Sequence, residues 1–519
     1  MNQNSQNNRK KAEQRQTARM QAPLGERQIV TELSEDFDLP DYQPEIKRLL
    51  RVQARVSSAD TYIGAGNAEC SGTVDYSILY SGADGTLYCA SQTGEYRFAF
   101  PVELPADFDA GEGLICDVDS QAENVAGRVM APRKLTLRCR LRSRAQLWGT
   151  RVFPDPIGQA AGMQRLTGEC QSARLFLGSS EPFELGDEIL CDPREGDVRV
   201  ISADGQVFLT EASAGSGSVT CRGEVCLKLL CCHDATGELY GIQRRLPFSQ
   251  IVPTDGVEVN CEVCAAGCCR DLRVTVEDGK IDCDVTVGLT VRAQRNETVS
   301  LLRDAYSTEA ECATATREIP VPLSLGCICG NFSVNQTQAL EEVGIPIGAR
   351  VVDADGAVTL TGVEADRGKI RLSGKCRFRL VLAAGEDYTV QEVEVPVRYE
   401  TDGAAAGAVI TASELTAEVI GCRARIDGEK LSLDAELAVS GTLRGERVES
   451  VLVEAVQGEP WQAPGAVFTV CYPAKDDTLW SVAKRYHVPV SDLSAKNALA
   501  SAPAADSPES LEGVRDLMV

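Results

Sequence analysis

The chain has 519 residues, of which 43% are hydrophobic and 25% charged, and its formal net charge is −24. Such a composition supports several buried cores, and the acidity excludes a nucleic-acid binder, because a phosphate backbone would be repelled over most of the surface. No apolar run reaches the roughly 18 residues of a membrane-spanning helix, so no integral membrane association is expected. Aromatic residues make up only 5%, which predicts aliphatic cores.

In chain order, residues 1–30 read as a disordered basic arm. Arg9, Lys10, Lys11, Arg15, Arg19 and Arg27 outnumber Glu13 and Glu26 there. The arm has no apolar segment of the kind a secretory signal needs, so the chain is expected to stay in the compartment where it is made. Next, Pro44–Leu50 predicts a short helix, with proline and Glu45 in its first turn and Ile46, Leu49 and Leu50 on one face.

A repeat then organises the chain. Gly72, Gly223 and Gly374 open similar alternating runs and stand 151 residues apart (72 to 223, 223 to 374). Downstream, Lys134–Leu141, Lys280–Val287 and Lys430–Leu437 all alternate apolar and polar residues. Period two places every second side chain on one face, as in a strand with one buried and one wet side. The fold class expected is mainly β: three repeated antiparallel units at 31–155, 175–305 and 312–456, followed by a small C-terminal module at 466–519.

Twenty-one cysteines raise the question of metal or redox chemistry. Cys261 and Cys264 form one CxxC, but Cys268 and Cys269 follow as an adjacent pair, which is weak metal spacing. The repeat gives a different reading. Cys283 aligns with Leu137 and Leu433, Cys139 with Val285 and Ala435, and Cys376 with Val74 and Val225. Cys70 and Cys221 align with Leu372, and Cys116 and Cys261 are matched to Ala417. Cysteine is exchanging with small hydrophobes, so reduced structural thiols and no bound metal are expected. The two histidines, His233 and His487, leave little room for general-base catalysis, and neither a phosphate-binding loop nor a nucleophile elbow occurs. We expect no enzyme activity, no catalytic residue and no cofactor.

One strand stands out by charge. Lys134, Arg138, Arg140, Arg142 and Arg144 project to the wet side, where the sister strands carry Asp282, Asp284, Asp434 and Glu436. The strand is a candidate contact surface; the alternative is an edge strand protected from aggregation by its charge.

The C-terminal module breaks the pattern. Phe468–Tyr472 predicts a strand, a helix follows a cap at Asp477 or Thr478, a second helix fits Pro489–Asn497, and Arg515–Val519 closes as a strand. This βααβ order, with Asp477-Thr478-Leu479-Trp480 and Ala483-Lys484-Arg485-Tyr486, resembles a LysM domain. Trp480, Val482, Ala483 and Tyr486 are its expected core. LysM domains bind N-acetylglucosamine polymers between two loops, which the resemblance places at Lys475, Asp476, Asp477, Thr478 and Leu479 and at Asn497, Ala498 and Leu499. Asp476 stands where the family has glycine, adding a side chain where a sugar approaches the backbone, so at most weak glycan binding is expected. Leu39–Val52 in turn resembles the entry motif of SPOCS domains of endospore-forming Firmicutes. The two resemblances together imply a coat morphogenetic scaffold of the mother-cell cytoplasm, at the forespore surface, whose partner is the coat morphogenetic ATPase. A peptidoglycan-binding wall or cortex protein is the alternative.

Overall fold

The computed structural model describes residues 18–57, 60–64, 66–109, 111, 113–158, 160–191, 197–277, 279–366, 369–385, 387–402, 410–462, 469–497, 511 and 514–519. The first unit contains β1 (Ala18–Asp38), β2 (Ile46–Val56), β3 (Asp60–Ile63), β4 (Asn67–Gly82), β5 (Leu87–Pro101), β6 (Ile115–Ala131) and β7 (Lys134–Phe153). One sheet runs β1-β7-β6; the other centres on β4, with β2 and β3 along one edge and β5 along the other. The second unit repeats this plan with β8 (Met163–Ser179), β9 (Phe183–Leu190), β10 (Val198–Ala214), β11 (Ser218–His233), β12 (Leu239–Pro253), β13 (Glu262–Glu277) and β14 (Lys280–Ser307). Its sheets are β13-β14-β8, with β9 also on β14, and β10-β11-β12. In the third, β15 (Ala310–Ala339), β20 (Lys430–Pro460) and β19 (Ile410–Asp427) form one sheet, and β16 (Arg350–Asp366), β17 (Lys369–Ala384) and β18 (Asp387–Asp402) the other.

The alternation read in the sequence is the cause of each sandwich. On β7, Leu135, Leu137, Cys139 and Leu141 are buried; so are Ile281, Cys283, Val285 and Val287 on β14, and Leu431, Leu433, Ala435 and Leu437 on β20. They pack against the facing sheet's Val74, Val225 and Cys376 in three separate cores. Cysteine and its aliphatic counterparts therefore occupy the same buried slots at most of the aligned positions. One alignment does not survive. Cys116 lies opposite Leu147 and Ala417 opposite Val439, positions out of register between the copies, while Cys261 precedes β13.

Two further expectations are corrected. Residues 18–30, assigned to a disordered arm, belong to β1, which pairs with β7 from Ala18 to Asp38; residues 1–17 lie outside the described residues. The segment Pro44–Leu50 is not a helix but leads into β2. Bulges between Ile46 and Arg48 and between Leu49 and Arg51 break the two-residue period. Each bulge inserts a residue, so the apolar spacing imitates a helical face.

The three sandwiches close on one another in an approximately threefold arrangement. Leu79, Leu230 and Val381, again 151 residues apart, meet in one apolar cluster with Leu50, Leu87, Ile201 and Leu239. A second shared cluster joins Met20, Phe153, Cys170, Leu301, Ile319, Val321 and Val451. It lies where Met163–Ser179 pairs with Thr290–Ser307 and Ala310–Ser324 with Arg444–Pro460, so the strands leaving the sandwiches form a stalk.

If the aligned slots are interchangeable, Cys376→Val, which installs the residue of both sister copies, changes unfolding free energy by less than about 1.5 kcal/mol. Cys376→Asp, burying an unpaired carboxylate, lowers it by roughly 3 kcal/mol or more. Urea denaturation measures both.

Candidate functional site

The C-terminal module has β21 (Val470–Cys471), α1 (Leu479–Arg485), α2 (Val490–Lys496) and β22 (Leu517–Met518), with β21 and β22 antiparallel. The βααβ order expected from the sequence is present. Thr478 caps α1: its hydroxyl accepts from the Ser481 amide at 3.1 Å, and Ser481 Oγ accepts from the Thr478 amide at 2.9 Å. Leu479, Val482 and Ala483 are buried with Leu493, Cys471 and Leu517.

The residues expected in the ligand loops divide into three groups. Asp477 is structural. Its carboxylate accepts from the Ala474 amide at 2.9 Å, from Ser481 Oγ at 3.3 Å and from Arg485 at 2.6 and 3.2 Å. The hydrogen bond from Arg485, followed by that from the Ala474 amide, holds its carboxyl below the ordinary carboxylate range. Thr478 and Leu479 are committed to cap and core. Asn497 is structural too: its side-chain amide donates to the Leu493 and Met518 carbonyls, both at 2.8 Å, and accepts from the Met518 amide at 2.7 Å, tying α2 to β22. Lys475 and Asp476 remain exposed at the tip of the turn. Ala498 and Leu499 lie outside the described residues. Sequence reasoning missed Tyr472, 76% exposed, and the exposed Val470 and Met518 of the paired strands β21 and β22. The alternation of Val470 and Tyr472 about the buried Cys471 was the available signal.

Trp480 and Tyr486, expected in the module's core, are only partly buried against it. Trp480 instead belongs to a seat on the stalk. Its indole donates to Asp304 Oδ2 at 2.8 Å, and its ring meets the Tyr306 edge with centroids 4.8 Å apart. Lys484 donates to both Asp304 oxygens, at 2.7 and 2.8 Å, and the Tyr306 hydroxyl donates to the Val488 carbonyl at 2.6 Å. His487 follows α1 in the left-handed region, at φ 54°, where glycine is the usual residue. Its ring stacks on Trp461 with centroids 4.0 Å apart, and Nδ1 lies 2.7 Å from the Ser307 carbonyl, which can only accept; that nitrogen therefore carries the proton. These contacts compensate a backbone cost of order 1 kcal/mol. Asp304, Tyr306, Ser307 and Trp461 lie at or beyond the ends expected for the second and third units, so nothing in the repeat pattern marked them.

The basic strand β7 is not an edge: β1 pairs along one side and β6 along the other. Its cations have acidic neighbours within that sheet. Lys134 is 3.8 Å from Asp38, Arg140 is 3.6 Å from Glu32 and 3.5 Å from Glu123, Arg142 pairs with Glu123, and Arg144 is 2.8 Å from Glu26. Arg138 is exposed. The charge complement expected in another molecule comes largely from β1. Elsewhere, a cleft of about 510 Å³ lies between the second and third units. Arg245 reaches Glu436 across it at 2.7 Å and Arg423 reaches Gln243 at 3.1 Å, so the cleft is bridged by its own walls. Among the described residues, no group of histidine, cysteine and carboxylate side chains is placed to hold a metal ion.

Asp477→Ala removes a charged acceptor that ties the Ala474 amide to Arg485 and costs the module about 1–3 kcal/mol, whereas Lys475→Ala and Asp476→Ala each stay within about 0.5 kcal/mol. Because the folded carboxyl of Asp477 sits below its unfolded value, its contribution is full above the ordinary carboxylate range. It disappears as pH falls through the lowered value. Thermal melts of the wild type and Asp477→Ala from neutral to acid pH therefore converge.

Comparison with known proteins places one part of the chain: a LysM domain matches residues 474–502. No curated protein and no solved structure matches the chain. Its C-terminal module is thus similar to LysM domains in sequence as well as in element order.

Proposed function

We propose that the chain is a non-enzymatic scaffold in spore coat assembly. It recruits or stabilises the coat morphogenetic ATPase at the forespore surface, from the mother-cell cytoplasm, through protein–protein contacts. The observation that carries the scaffold reading is the seat of the LysM-like module. Five polar contacts and two ring contacts hold α1 and the turn after it against the stalk, while Lys475 and Asp476 stay exposed. A module held in this way presents its free loop in a fixed direction, which lowers the entropy lost when a large partner docks. The assignment to the coat rests on the resemblance of Leu39–Val52 to SPOCS domains.

The LysM match favours a second reading, binding of an N-acetylglucosamine polymer. Two features weigh against tight glycan binding. Asp476 adds a side chain at the position of the family's glycine, and Asp477 and Asn497 have their polar atoms committed within the module.

Truncation before Ala466 is expected to leave the three sandwiches folded and to abolish co-purification with the ATPase. In the full chain, Lys475→Glu combined with Tyr472→Ala weakens that association tenfold or more, about 1.4 kcal/mol, while the melting temperature stays unchanged. A truncated protein that co-purifies at full yield contradicts the proposal. So does a full chain that binds chitin oligomers tightly and ignores the ATPase.

A further inference from the structure

Beneath the apolar ring of Leu79, Leu230 and Val381 lies a layer of charge to which all three units contribute. Each unit has a bulge on the strand beside its central strand: between Leu49 and Arg51, Val200 and Ser202, and Val351 and Asp353. The bulges put Arg51, Ser202 and Asp353 opposite the three ring residues, and Gln53, Asp204 and Asp355 opposite Ser77, Lys228 and Arg379. Equivalent positions therefore carry different chemistry: cationic or neutral in the first unit, neutral or anionic in the second, anionic in the third.

The differences are complementary across the unit boundaries. Arg51 Nη1 lies 2.5 Å from Asp353 Oδ2, with both side chains less than a tenth exposed. Lys228 of the second unit closes on the other oxygen of the same carboxylate. Gln53 donates to Asp355 at 2.6 Å, and Arg55 pairs with Asp204. Arg51, Arg55 and Lys228 thus offset Asp204, Asp353 and Asp355. Burial opposes the ionised form of Asp353, yet Arg51 and Lys228 hold its carboxyl below the ordinary range.

We propose that this layer selects which units pack together, admitting one copy of each unit in a fixed order and excluding a ring that holds the same unit twice. The apolar ring cannot discriminate. Leu79, Leu230 and Val381 are nearly interchangeable, so a ring holding one unit twice would satisfy it as well as a ring holding all three. A layer with two copies of the third unit brings two buried aspartate pairs together, and one with two copies of the first gathers arginines without partners. Like charges under an apolar lid are strongly disfavoured. Three similar units on one chain are otherwise prone to swapping between molecules. A buried ion pair adds little net stability over a well-packed apolar replacement, which leaves specificity as its distinguishing effect.

The test uses the full chain with Arg51→Met, Lys228→Met, Asp353→Leu and Asp355→Asn together, which removes two cations and two anions and leaves Arg55 paired with Asp204, unfolded in denaturant and refolded at low and high protein concentration. Size-exclusion chromatography with light scattering reads the mass. The expected result is a melting temperature within about 2 °C of wild type and loss of the single refolded monomer, replaced by concentration-dependent mispaired oligomers. Wild type refolded alongside gives the same monomer fraction at both concentrations. As a check that the layer is buried, Asp353→Leu alone strands two cations and lowers the melting temperature by roughly 3–5 °C. A quadruple variant that refolds only to monomer at every concentration overturns the proposal. A quadruple variant that fails to fold also overturns it, since the layer would then be acting on stability and not on selection.

Discussion

Leu79, Leu230 and Val381 are all but fully buried, yet none of them belongs to the core of its own sandwich. Each becomes buried only where the other two units supply the covering surface. Removing such a side chain from water is worth about 1.5–3 kcal/mol, and the stalk cluster around Leu301, Val321 and Val451 adds a second set with the same requirement. A single unit standing alone would expose both apolar patches. The three units are therefore parts of one body, and the stalk, the seat and the direction of the LysM-like module all depend on that closure.

The sandwiches were readable because strict alternation maps onto a pleated sheet without tertiary knowledge. Leu135, Leu137, Cys139 and Leu141 could face only one way, and the sister strands repeated the pattern. Cysteine in those slots was readable for the same reason, since Val285 and Ala435 fill the slot of Cys139. The reading failed where the period is interrupted. Two bulges within β2 spaced Ile46, Leu49 and Leu50 like a helical face. Register between copies was also beyond it at Cys116, whose partner Leu147 and the partner Val439 of Ala417 stand at different places along the equivalent central strands.

The seat of the module was unreadable for another reason. Asp304 and Tyr306 are meaningful only against Trp480, Lys484 and Val488, about 180 residues away in the chain. The resemblance to LysM domains named loops but could not separate anchors from free side chains. Asp477 and Asn497 proved to be internal struts, while Tyr472, which no family motif highlighted, is left exposed like Lys475 and Asp476. The acidic character of β1 had a similar fate. Glu26 counted only as a minority charge of a basic arm until β1 paired with β7 and set it against Arg144, with Glu32 beside Arg140.

The central claim is that closure of the three sandwiches makes one cooperative body. Hydrogen exchange tests it most directly in a full chain carrying Leu230→Ala, a substitution confined to the second unit that costs about 2–5 kcal/mol. The slowest-exchanging amides of β7, β14 and β20 report the global stability of the three units separately. A single body predicts that all three strands lose protection by the same free energy. Loss confined to β14, with β7 and β20 unchanged, would mean that the units are merely adjacent beads, and would contradict the account.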